Sequence, residues 1–158
     1  MPRGKGYDAG HQAELEVLRW ARMNGHPAAQ LVDPDDPGLR WTCDIHDPQD
    51  RHYTVEVKHD QQVDRTGTVC LELLLPAGRP GPLLWSKATW LAYKLADMEG
   101  FYWCRRLLLV HAVLKGEVPA RRYVEPGDRS LLALVARHVF TQLPYLTLLN
   151  SGAAAGSR

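Results

Sequence analysis

Two acids and a lysine stand at spacings that can build one reaction centre. Glu56 and Lys58 lie two residues apart in Tyr53-Thr54-Val55-Glu56-Val57-Lys58-His59-Asp60, where apolar and polar residues alternate. A period of two belongs to a strand. It sets Tyr53, Val55 and Val57 on one face and Thr54, Glu56 and Lys58 on the other. Asp44 lies in a second short alternating run, Thr42-Cys43-Asp44-Ile45-His46, and the turn-forming Asp47-Pro48-Gln49-Asp50-Arg51 separates the two runs. A hairpin over these runs brings Asp44 opposite or diagonal to Glu56, gathering two carboxylates and one ammonium. Such a group can share a hard cation, with the ammonium offsetting the acids. Taken alone, Glu56 and Lys58 equally suit the wet face of an ordinary antiparallel sheet.

The elements that must position these groups can be read along the chain. His11 to Met23 reads as a helix stopped by Asn24-Gly25, with Ala13, Val17, Leu18, Trp20 and Ala21 on its buried face. Glu14 borders that face, while Glu16 is expected to point round toward solvent. Glu14 is therefore the helix acid placed to look inward, and His11, one turn earlier, is a candidate neighbour. Strands are expected at about 41–46, 52–58 and 67–74, forming one mixed sheet. Glu72, on the face of Thr68 and Cys70, is a candidate additional acid. Ser86 looks like the N-cap of a helix running to about Met98, which sets Lys87 and Lys94 two turns apart. The apolar run 105–113 suits a strand buried on both sides. An edge strand at 121–124 and a last helix at about 130–140 complete the order. The fold class is α/β: a mixed central sheet flanked by helices.

The 158 residues, 45% hydrophobic and 23% charged, fit a single domain, here 11–150. Residues 1–10 read as a flexible arm and 151–158 as a disordered tail. No apolar run reaches membrane-spanning length, and the N-terminus does not resemble a signal peptide. Cys43, Cys70 and Cys104 are far apart, which suits reduced thiols and a cytoplasmic setting. The net charge of +1 hides two unlike halves: 11 acids against 7 Lys/Arg over residues 1–60, and 7 against 12 over 61–158. That asymmetry suits a metal site beside a polyanion track. His46, His52 and His59 alternate without the paired spacing of a zinc site. Trp85, Trp90 and Trp103 are expected in the core.

The order helix, strand, strand with Glu56-Val57-Lys58, strand, helix, strand resembles the PD-(D/E)XK nuclease superfamily. Asp44, separated from Glu56 by eleven intervening residues, matches its metal-binding aspartate, and Glu14 matches the acid many members carry on the first helix. Thr66-Gly67-Thr68 through Glu72 looks like a phage and mobile-element subset, with Thr68 where asparagine is typical. Cys43 precedes Asp44 where a proline is common. The resemblance covers about residues 10–113. It implies a restriction-endonuclease-like αβββαβ core and Mg²⁺-dependent hydrolysis of DNA phosphodiesters, with Mn²⁺ able to substitute. Asp44 and Glu56 would hold the ion with the Val57 carbonyl as a third ligand. Lys58 would hold or help deprotonate the attacking water, and Glu14 would act through a metal-bound water. Lys87, Lys94, Arg105 and Arg106 would grip phosphates. A Holliday-junction or branched-DNA resolvase and a catalytically silent nucleic-acid-binding module on the same fold are the alternatives; the expected partner is DNA, with a homodimer as the candidate assembly.

Overall fold

Asn24 and Gly25 end the first helix for a visible reason. The Asn24 side-chain amide donates to the Trp20 carbonyl, 2.8 Å, and Gly25 takes a left-handed φ of +102°. The structure, a computed structural model, describes residues 5–40, 42–96, 98–127 and 129–150, and side chains from Asp8 onward. Helix α1 spans Lys5–Met23, so the stretch expected to be a loose arm is helical from Lys5. The expected tail, 151–158, lies outside the described residues. Ala13, Val17, Leu18 and Ala21 are buried, as their spacing requires.

The elements after α1 are β1 (Gln30–Leu31), β2 (Ile45–Asp47), β3 (Asp50–Asp60), α2 (Val63–Thr66), β4 (Thr68–Leu74), α3 (Pro82–Trp85), β5 (Trp90–Leu95), β6 (Phe101–Arg105), α4 (Arg106–Leu114), β7 (Ala120–Val124), β8 (Leu131–Ala136), α5 (Arg137–Phe140) and β9 (Thr147–Leu149). Six strands form a central sheet in the order β1-β2-β3-β5-β6-β9. β2 and β3 make the expected hairpin, with Ile45 opposite Val55. β3 pairs parallel with β5, Glu56 opposite Leu91 and Lys58 opposite Tyr93, so the sheet is mixed. One face of it, with Val55, Val57, Ala92 and Phe101, packs under α1. The molecule is thus mixed α/β with a mixed central sheet and helices. No helix among the described residues is long and apolar enough to cross a membrane.

Four expected elements differ, and each difference has a packing cause. β4 does not join β3; it pairs with β8 in a separate antiparallel sheet ordered β4-β8-β7. That sheet sets Val69, Leu71, Leu73, Ala133 and Val135 against Leu91, Tyr93 and Cys104 of the central sheet. It therefore covers the face that should have been wet. The expected helix at 87–98 is instead a loop and β5. Ser86 Oγ does accept the Ala88 N–H, 3.2 Å, as an N-cap would, but it closes only a local turn. β5 is a central strand with Leu91, Ala92, Tyr93 and Leu95 buried, and two-sided burial erases the alternation that marks a strand. The expected strand at 105–113 is helix α4. Arg106, Leu109, Val110 and Val113 are buried at helical spacing, while Leu107 and Leu108 are 53% and 50% exposed. An all-apolar run carries no period from which to choose between the two. The expected helix at 130–140 is β8 followed by the single turn α5, because Ala133 and Val135 alternate inward between β4 and β7. The edge strand at 121–124 forms as β7.

Candidate active site

Asp44 stands just before β2 and extends its ladder. Its N–H donates to the Val55 carbonyl, 2.9 Å, and its Oδ2 accepts the Val57 N–H, 2.7 Å. This second bond caps the ladder where β2 would otherwise continue, and it fixes the carboxylate against β3. The N–H and carbonyl of one strand residue leave from the same edge, so the Val57 carbonyl shares the edge that Asp44 occupies. One residue earlier on β3, Glu56 is 4% exposed. Its Oε1 pairs with Lys58 Nζ at 2.8 Å, on the face opposite Val55 and Val57. The Lys58 side chain remains one-third exposed, at 33%.

Charge is unevenly matched here. Burial pushes the Asp44 carboxyl up to about 7, and the charges of Glu56 and then Glu14 push the same way; the Val57 N–H and Lys58 pull against them and lose. Burial works against the Lys58 ammonium, but Glu56, Asp44 and Glu72 outweigh it and raise its pKa. The Cys43 thiol beside them is pushed up by burial, with Asp44 and Glu56 adding to it, so it stays protonated and is no soft ligand. Burial thus favours the protonated form of Asp44, and Lys58 offsets that only in part. A small hard cation would favour the ionised form, and two carboxylates with a carbonyl could suit Mg²⁺, which keeps several waters. Among the described residues no three His, Cys, Asp or Glu side chains form a ready metal cage. Asp44 and Glu56, whose charges act on each other, are the carboxylates here that could hold such an ion.

Two clefts flank this group. One, about 440 Å³, is lined by His11, Glu14, Asp33, Arg40, Cys43 and Asp44. The other, about 370 Å³, is lined by Lys58, Asp60, Cys70, Glu72 and Tyr93 among others. Glu14 therefore does face Asp44, and His11 Nδ1 meets Glu14 Oε2 at 3.1 Å. Glu72 is exposed on β4 and acts on Lys58 across the second cleft. Gly81 lets the following loop press against that part of β4: its N–H reaches the Leu73 carbonyl at 2.7 Å, and a Cβ there would lie 2.2 Å from the Glu72 carbonyl oxygen.

No family model, curated protein or solved structure matches the chain.

The four expected phosphate contacts separate into unlike groups. Lys87 is exposed, and its N–H donates to the Thr42 carbonyl, 3.0 Å, so its loop lies beside Asp44. Arg105 is exposed, with its guanidinium 4.9 Å from the centre of the Trp90 ring. Lys94 is turned inward on the α1 face, where Nζ meets Glu16 Oε2 at 2.5 Å and also the Met98 and Gly100 carbonyls. That pair corrects two expectations at once, since Glu16 is only 13% exposed rather than pointing to solvent. Arg106 is buried and donates to the Ala88 and Leu83 carbonyls, both 2.9 Å, so it is not a phosphate grip either. Its guanidinium instead feels the Glu56 charge from beneath the site.

Sequence reading missed this role of Arg106, and it missed Asp33, Arg40 and Asp60. The first three lie in segments that carried no period. Asp60 Oδ2 accepts the Cys70 N–H, 2.9 Å, tying β3 to β4. Its Oδ1 also accepts the Gln62 N–H, 3.0 Å, and only that local bond was within reach of sequence reading.

Proposed function

We propose that the chain is a Mg²⁺-dependent endodeoxyribonuclease of the PD-(D/E)XK type. The observation that carries this reading is the group Asp44, Glu56 and Lys58, with Glu56 buried and paired to Lys58 Nζ at 2.8 Å and Asp44 fixed to β3 by the Val57 N–H at 2.7 Å. The parallel β3–β5 pairing after the hairpin also supports it. Two features depart from the family pattern: β4 leaves the central sheet, and one-turn helices replace the long helix before β5.

Mg²⁺, when bound, neutralises phosphoryl charge and makes a water acidic enough to attack. Asp44, Glu56 and the Val57 carbonyl would hold it, and Mn²⁺ would substitute. Lys58 Nζ positions the attacking water and stabilises the charge that grows on the phosphate. Glu56 keeps that ammonium aimed, and Glu14 orients water from the α1 side. Lys87 contacts a neighbouring phosphate. The partner is DNA and the setting cytoplasmic.

Supercoiled plasmid, single-stranded, flapped and four-way DNA incubated with Mg²⁺ or Mn²⁺ test this directly. Cleavage of at least one substrate, lost with EDTA and in Asp44→Asn, is expected. No cleavage of any of them with either ion overturns the assignment and leaves a silent binding module. Preference for the four-way substrate selects the resolvase.

A further inference from the structure

The α1 face of the central sheet opens at one end into a groove of about 630 Å³, within the range of small-ligand sites. Planar groups from three strands and the loop after α1 run along it. His26 stacks on Tyr53, with ring centres 3.4 Å apart and planes 21° apart. Trp103 follows at 6.3 Å and 26°, and Trp90 lies 5.2 Å from Trp103 at 20°. The Arg105 guanidinium caps Trp90. The register explains the alignment, since Trp90 stands opposite Arg105, and Ala92 opposite Trp103. Within the stack Tyr53 is buried, at 5% exposure. Phe101 beside them is fully buried, but Trp90 and Trp103 are only half-buried and wall the groove.

We propose that this groove binds an unpaired nucleobase of a DNA strand. Nearly parallel rings offer a stacking surface that every base can use. Arg105 adds a planar cation that stacks and can also reach a phosphate. The groove lies on the α1 face of the sheet, opposite the face that carries Glu56 and Lys58. Thr89, in its wall, is two residues from Lys87, and its N–H bonds Thr54 Oγ1 on β3 at 3.0 Å. Lys87 stands three residues before Trp90, at most roughly 10 Å along the chain. The substrate class is therefore DNA with unpaired bases, as in single strands, flaps and opened junction arms. The ligand class rests on the nuclease reading; the binding itself does not require cleavage.

Tryptophan-fluorescence titration of the full chain in EDTA tests it, with oligothymidylate and an abasic strand of equal length. Oligothymidylate is expected to quench the indoles and to bind roughly tenfold or more tighter than the abasic strand. Arg105→Ala and Trp90→Leu should each remove most of that preference, and Lys58→Ala should keep it. Arg105 is exposed and the abasic strand alters only the ligand, so misfolding of Trp90→Leu leaves the result readable. Equal affinity for the two strands, or a preference unchanged in Arg105→Ala, overturns the groove. If no DNA is cleaved but the preference stands, the nuclease reading falls and the base site remains. Cleavage without the preference sinks the groove alone.

Discussion

Two lysine–glutamate pairs lie on opposite faces of the central sheet, one residue apart in strand register. Lys94 stands opposite His59, and Lys58 opposite Tyr93. Lys94 spends its three donors on Glu16 and on the Met98 and Gly100 carbonyls, while the other Glu16 oxygen takes the Gly100 N–H at 3.2 Å. Gly100 can sit there because it lacks a Cβ: its φ is +83°, and a Cβ would lie 2.2 Å from the Leu149 carbonyl oxygen. This is a closed pair that ties α1 to the β5–β6 turn. Lys58 has one ionic partner among the described residues, keeps a third of its surface, and lies near Asp44, whose carboxyl burial holds up at about 7. The same two residue types therefore do opposite jobs. Completed hydrogen bonding holds the fold, and incomplete hydrogen bonding leaves room for a ligand.

Substitution should separate the pairs most sharply in turnover. Lys58→Ala is expected to slow single-turnover cleavage by about 10²–10⁴-fold, the usual worth of one positioned acid–base group. DNA affinity measured with Ca²⁺ should stay near wild type. Near-normal cleavage by Lys58→Ala would erase the distinction between the two pairs. Lys94→Met should do the reverse. It strands the buried Glu16 charge, which typically costs about 3–5 kcal/mol, while cleavage per folded molecule stays unchanged. Urea denaturation reads the first effect. An unchanged midpoint would show that the closed pair is ornamental.

The open pair should also respond to pH. The folded state holds the Asp44 carboxyl up near 7, above its ordinary value of 3.8, so folding favours its protonated form. That contribution is fully present below about pH 4 and is lost as pH rises through about 7, a change of order a few kcal/mol. The melting temperature of the metal-free protein should therefore fall between pH 5 and pH 8. Mg²⁺ should restore more at pH 8 than at pH 5, because an ion needs the carboxylate ionised. Asp44→Asn should flatten the slope, and a slope unchanged in that variant would place the titrating group elsewhere.

The smallest effect concerns the charges once grouped as one DNA track. Lys87→Ala should lower the log–log salt slope of duplex binding by about 0.9, one phosphate contact. Arg106→Leu should destabilise the protein through its two lost carbonyl bonds and leave that slope alone. Equal slope changes in both would restore the single track.

What the sequence made legible was local. The period-2 run around Glu56, the turn at Asp47–Arg51 and the stop at Asn24-Gly25 are set by neighbours in the chain, so the hairpin with Asp44 beside β3 could be read from them. The segments 90–95, 106–114 and 131–136 are near-continuous apolar runs, and only their packing partners decide strand or helix. That is why β5 and β8 were expected as helices and α4 as a strand. Glu16 and Lys94 lie 78 residues apart. Nothing near either one announces the other, so Glu16 was sent to solvent and Lys94 to DNA. The stacked rings were taken for core because indoles usually are. That Trp90 and Trp103 stay half-open follows from sheet register, which local sequence does not encode.

The central claim is that Asp44 and Glu56 hold a divalent ion beside Lys58. Crystals of the wild-type protein soaked in Mn²⁺ test it most directly, through the anomalous difference map. The account expects a peak between the Asp44 and Glu56 carboxylates, within reach of the Val57 carbonyl and absent in Asp44→Asn. A map with no peak there, or a peak that survives Asp44→Asn, would contradict it.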